Sequence, residues 1–154
     1  MYFHLRTALT LSAILALCVF WGCEVDTRIK IDGANPPTFH LTGSGYLTFF
    51  TVTEIASENV NVADVEQDRT KNKTIWEVWP SEPSATRIRE MPPITYGKTP
   101  TGFHQTVPQD GSAPGLVEGK VYEGGGPAAS AHGGYVRFTV RAGKTVEVPI
   151  PARR

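Results

Sequence analysis

The amino-acid sequence predicts an all-β protein, an antiparallel β-sandwich that follows an N-terminal export segment. Three observations carry that reading. Apolar and polar residues alternate with a period of two in run after run, the pattern of strands that are buried on one face. Turn-forming pairs separate the runs, and the chain holds 15 Gly and 12 Pro among 154 residues, far more punctuation than a helical protein tolerates. Apolar residues at helical spacing are nearly absent beyond residue 23; the closest case, Val60–Gln67, also reads as alternation.

The runs follow one another in order. Val25–Ile31 sets Val25, Thr27, Ile29 and Ile31 on one face and charges on the other, and Thr38–Thr42 points Phe39 and Leu41 inward. Tyr46–Ile55 is β-branched and aromatic throughout, which suits a central strand. Thr74–Trp79, Ala85–Arg89 and Ile94–Tyr96 are shorter, and Val121–Glu123, Tyr135–Val140 and Thr145–Ile150 close the series. Asp32-Gly33, Asn35-Pro36-Pro37, Gly43-Ser44-Gly45, Pro92-Pro93, Asp110-Gly111 and Ala142-Gly143 mark turns between them. Ala56–Lys73 is polar and Pro100–Gly119 reads as an irregular crossing. Gly124-Gly125-Gly126 is expected to end the strand at Glu123 and form a flexible hairpin tip. A chain of this length buries enough surface for a two-layer core without disulfides.

Residues 1–22 have the form of a signal peptide. Arg6 lies in a short basic region, and Thr7–Trp21 is 15 residues without a charge, shorter than the ~20 that a membrane-crossing helix needs. Gly22-Cys23 directly after this run resembles the lipobox of bacterial lipoproteins, although Phe20 and Trp21 replace its usual Leu and small residue. The resemblance implies cleavage before Cys23, a diacylglycerol on its thiol and an acyl chain on the new amine, enough for stable anchoring. It leaves 23–154 as a single domain whose partner is the membrane, with Glu24 rather than Asp after the cysteine, which points to the outer membrane, on its periplasmic or surface face. Without Arg6, 14 basic residues remain against 15 acidic ones, a net charge of −1. No nucleic-acid partner is expected, because no basic excess exists to meet phosphates.

Leu116-Val117-Glu118-Gly119-Lys120-Val121-Tyr122 has the form Leu-x-x-Gly-x-x-Tyr ahead of a strand. It resembles the E–F corner of fibronectin type III and other immunoglobulin-like domains. That likeness implies that Leu116 enters the core, Gly119 makes the turn, and the Tyr122 hydroxyl bonds back to the upstream backbone. Together with Asn35-Pro36-Pro37-Thr38-Phe39, Trp76–Pro80 and Pro92–Gly97, these motifs look like those of small bacterial lipoproteins, a resemblance that implies no activity.

Signs of chemistry are few. His40, His104 and His132 are far apart in sequence and form no metal-binding frame, so no metal and no cofactor are expected. Gly43-Ser44-Gly45 is too short for a nucleophile elbow, and the Gly124–Gly126 run precedes no helix that would cradle a phosphate. The chain is therefore read as non-enzymatic, a binding or structural module of a lipid-anchored envelope protein. The alternative is a carbohydrate- or peptidoglycan-binding module with Trp76, Trp79 and Tyr96 exposed as a stacking platform. A hydrolase is the weakest reading, and would require at least two of His104, His132, Glu77 and Asp110 to converge.

Overall fold

The computed structural model describes residues 26–57, 60, 69–82 and 87–150. These residues form two antiparallel sheets that do not close into a barrel, consistent with a β-sandwich. The smaller sheet has the order β1-β2-β6, made of Arg28–Ile31, Thr38–Thr42 and Ile94–Thr95. The larger has the order β10-β9-β8-β4-β5-β7. Its strands are Phe50–Glu54 (β4), Lys73–Pro80 (β5), Phe103–Val107 (β7), Val121–Ala129 (β8), Ala131–Arg141 (β9) and Lys144–Glu147 (β10), and the short β3, Tyr46–Leu47, pairs with β8.

The core lies between the sheets and is dominated by aromatic rings. Phe39 of β2 reaches across to Phe50 of β4, with ring centroids 4.9 Å apart, and to Phe138 of β9 at 5.7 Å. Phe50 meets Trp76 edge-on at 6.2 Å, and Tyr122 stacks on Phe138 at 5.6 Å. Each such pair adds to the burial of its own area, which for rings of this size is the largest favourable term available.

Several expectations from sequence are corrected. Gly124–Gly126 is no hairpin tip: β8 continues through it, between β4 and β9, and all three glycines are buried. The reason is steric. A Cβ on Gly124 would come within 2.5 Å of Phe39 Cε1, while one on Gly125 would meet the Gly134 carbonyl and one on Gly126 the Phe49 carbonyl. Glycine is used here to let a ring and two backbones approach, a second role beside turn-making.

Tyr46–Ile55 is not one strand. It pairs along β8 in two pieces, interrupted at Thr48-Phe49 opposite Gly126–Ala128, where the ladder shifts register. Pro127 lies in that shift and has no N–H to donate; its carbonyl accepts from Thr48 N at 3.1 Å. Of the strand expected over Ala85–Arg89, residues 85 and 86 lie outside the described residues; Arg87 makes a single bridge to Tyr46 and Ile88–Glu90 is a 3-10 turn. Among residues 87–90 only Ile88 enters the core, so one turn suffices to bury it. His104 and His132 sit on β7 and β9, and the crossing at 100–119, expected to be irregular, contains β7. The tight turn at Ala142-Gly143 is as expected, with φ of 50° and 71° at its two residues, the geometry that joins β9 to β10 without splaying them.

Gly124→Ala forces its methyl onto the Phe39 ring and is expected to destabilise the domain by about 1–3 kcal/mol, as overpacking does. Adding Phe39→Leu should return part of that loss, measured by urea unfolding of the single and double variants.

Candidate functional site

The corner before β8 is built from backbone requirements. Val117 N donates to the Tyr122 hydroxyl at 2.9 Å, and the Tyr122 ring is 1% exposed. Gly119 has φ +80° and its N–H donates to the Val140 carbonyl, while Leu116 packs against the core from its edge. Lys120 Nζ donates to Glu54 Oε1 at 2.5 Å, and this bond raises the lysine's pKa. The whole corner is structural: it seats the 108–119 crossing on the end of the sandwich.

Trp76 and Tyr96 belong to the same support. Bulges let consecutive residues of β5 turn inward, so Ile75 and Trp76 are both buried. Trp76 Nε1 donates to Gln105 Oε1 at 3.0 Å, and Gln105 Nε2 donates to the carbonyls of Pro108 and Gly111. The Tyr96 hydroxyl donates to the Pro114 carbonyl at 2.6 Å, and its ring stands edge-on to Trp76.

The expected aromatic platform is therefore corrected. Trp76 is fully buried and Tyr96 is 5% exposed, with their planes 71° apart, so neither offers a face to a sugar. Trp79 is half-buried, stacked on Phe49 at 4.7 Å, with Nε1 donating to Glu77 Oε1 at 2.8 Å. The rings were legible as a cluster, and Trp76, Val78 and Pro80 keep a period of two on the buried face of β5, but alternation by itself does not say which face meets the core.

The other residues singled out from sequence do not assemble. Glu77 is a clamp between β5 and β7: its Oε1 accepts from Thr106 Oγ1 at 2.6 Å as well as from Trp79. His40 and His104 are exposed on their strands, and His132 lies 3.1 Å from Asp26 at the surface. Among the described residues no group of three His, Cys, Asp or Glu could hold a metal ion. Cys23 lies outside the described residues.

A concavity that sequence reasoning did not single out lies at another part of the described residues. A cleft of about 180 Å³ is lined by Ser44, Gly45, Tyr46, Arg87 and Arg89. Ser44 and Gly45 of the 43–45 turn form one wall, and Arg87 and Arg89, on either side of Ile88, form the other. They are held together by the Tyr46–Arg87 bridge and by Ile88 N donating to the Gly45 carbonyl at 3.1 Å. Arg87 lies over the Tyr46 ring, 5.6 Å from its centroid, and its Nε donates to the Tyr46 hydroxyl at 3.2 Å. That bond, together with the field of Tyr46 and Glu90, raises the pKa of Arg87. Glu90 accepts from Arg89 Nε at 3.2 Å and lies 3.9 Å from Arg87 Nη1. The only sequence signal was the Arg87-Ile88-Arg89 spacing, which places two cations either side of a core anchor.

Comparison with protein-family models, with curated proteins and with solved structures found no match to this chain.

Two stability predictions follow from the buried phenols. Tyr122→Phe leaves Val117 N without its acceptor and should cost about 1–2 kcal/mol without changing the fold, read from urea midpoints. Burial pushes the Tyr96 phenol well above its ordinary value of 10.0. An unfolded chain releases that proton near pH ~10, whereas the folded one holds it. Stability contributed by neutral Tyr96 is thus complete below pH ~10 and falls as the pH rises past it. Tyr96→Phe should flatten that alkaline loss in unfolding curves measured across this range.

Proposed function

We propose that the chain is a lipid-anchored, non-catalytic module of a bacterial envelope, immunoglobulin-like in its strand order, that serves in binding or in envelope structure. The single observation that carries the address is Gly22-Cys23 at the end of an uncharged run. Acylation there would hold the domain at a membrane with no spanning helix.

The strand order supports the immunoglobulin-like reading. In such domains one sheet contains A, B and E, and the other contains G, F and C, extended by C′ in the variable type. Here β1, β2 and β6 supply the first set in chain order, while β9, β8, β4 and β5 supply G, F, C and C′. The Leu116–Tyr122 corner then stands where the E–F corner belongs, immediately before the F equivalent. Two strands depart from the scheme: β7 arrives after the E equivalent yet pairs with β5, and β10 extends the sheet beyond β9.

A binding or structural role rather than catalysis suits side chains that are spent on support. Glu77, Gln105, Tyr96 and Tyr122 each hold backbone or a neighbouring strand. The glycan reading loses its platform with the burial of Trp76 and Tyr96.

The anchor is tested by mass spectrometry of the native protein and by fractionation of the Cys23→Ser variant. The expected result is an N-terminal Cys23 carrying acyl chains, and an uncut, unacylated chain in the variant. A native protein that keeps Met1, or that begins at an unmodified residue, would overturn this reading.

A further inference from the structure

The cleft of Tyr46, Arg87 and Arg89 lies at a particular end of the sandwich. Thr27 N donates to the His132 carbonyl at 3.1 Å, so the chain enters the fold beside the start of β9. At the same place the 43–45 turn presses on the entering segment: a Cβ on Gly43 would lie 2.9 Å from the Asp26 carbonyl. Gly45 abuts Ala129 and Ala131 of the β8–β9 turn, and Tyr46 pairs with Ala129. Asp26, Ser44, Tyr46, Arg87 and the β8–β9 turn therefore form one continuous end.

Cys23 is three residues before Asp26, a span of at most about 11 Å of extended chain. A lipid on Cys23 accordingly brings this end, rather than another, to within reach of the headgroups. The local charge suits that position. Within the cleft Glu90 is shared between two arginines, two positive charges against one negative, while Asp26 is not among the lining residues and lies against His132 at the surface. The guanidinium of Arg87 is oriented by Tyr46 rather than loose, and the side chains of Arg87 and Arg89 remain 48% and 66% exposed. Arginine pairs with phosphate through parallel N–H donors, and an oriented one loses less entropy in doing so.

We propose that the cleft formed by Tyr46, Arg87 and Arg89 receives the phosphate of an anionic phospholipid headgroup in the membrane to which the chain is tethered. The inference rests on the reading that Cys23 is acylated. Docking through the cleft fixes the orientation of the domain on the bilayer, adding an electrostatic contact to the acyl chains. Glu90 is the competing ligand, and a headgroup phosphate displaces it from one or both arginines.

The test uses the full chain in micelles of a neutral maltoside detergent. Glycerophosphoglycerol, glycerophosphocholine and inorganic phosphate are titrated in turn, while NMR follows the Arg87 and Arg89 Nε–H signals. Glycerophosphoglycerol should give saturable shifts, glycerophosphocholine much smaller ones, and Arg89→Gln should weaken the first by about tenfold. Arg87→Gln should do the same; if it fails to fold for want of the Tyr46 contact, Arg89→Gln carries the comparison alone. In a second arm the full chain is placed in nanodiscs of phosphatidylcholine with or without phosphatidylglycerol, with a spin label on a headgroup. Broadening of the Arg87 and Arg89 signals only in the anionic discs supports the proposal. Unchanged shifts in the titration, or equal midpoints in Arg89→Gln, would overturn it. Inorganic phosphate binding as tightly as glycerophosphoglycerol, without broadening in the anionic discs, would overturn the lipid source. The mass of the N-terminal fragment from the same sample reports the anchor separately, so loss of the anchor and loss of the cleft's affinity are distinguished.

Discussion

The contact of the Phe39 ring with the bare backbone of Gly124 sets the separation of the two sheets. Phe39 of the small sheet places its ring against both Phe50 and Phe138 of the large one. It does so because β8 offers no side chain beneath it. A ring packed onto a glycine strand gains full burial at close range, and the surrounding rings then find edge-on and stacked partners at 4.9–6.2 Å. The glycine-rich strand would be weak in isolation, from entropy and from missing side chains. Here it is flanked by β4 and β9 and covered by aromatic surface, so tertiary packing offsets that weakness.

A second constraint concerns the crossing that follows β7. Its backbone pairs with no strand from residue 108 to 117, yet buried polar groups must be satisfied. Three aromatic or aromatic-linked groups meet that need from the core side. Trp76 orients Gln105, which holds the Pro108 and Gly111 carbonyls; Tyr96 holds the Pro114 carbonyl; Tyr122 accepts from Val117. Each ring contributes apolar area to the core and a polar tip to the loop. The same rings that suggested a ligand surface are thereby committed to the fold.

That commitment shapes the functional reading. The cleft at Tyr46 is bordered by a turn, a 3-10 segment and two arginines, at the end of the sandwich where Asp26 and Thr27 lie. Binding at such a place depends on charge rather than on a deep apolar pocket. A small domain with its aromatic residues spent on stability retains mainly its loops and edges for recognition.

Fold class and the position of most strands were determined by the sequence alone, because alternation and turn chemistry are local properties. Phe39 and Leu41 inward, the Ala142-Gly143 turn and the corner around Tyr122 all follow from residues within a few positions of one another. Only the tertiary structure decided what Gly124–Gly126 do, since their role depends on Phe39, distant in sequence, and on Gly134 and Phe49 approaching from the flanking strands. It likewise decided the burial of Trp76 and Tyr96: β5 alternates from Trp76 to Pro80, but which of its faces meets the core depends on Phe50 and Tyr96, distant in sequence. The cleft was beyond local reading for the same reason. Tyr46 and Arg87 become neighbours only through a bridge between distant segments, and no pattern within either segment encodes that pairing.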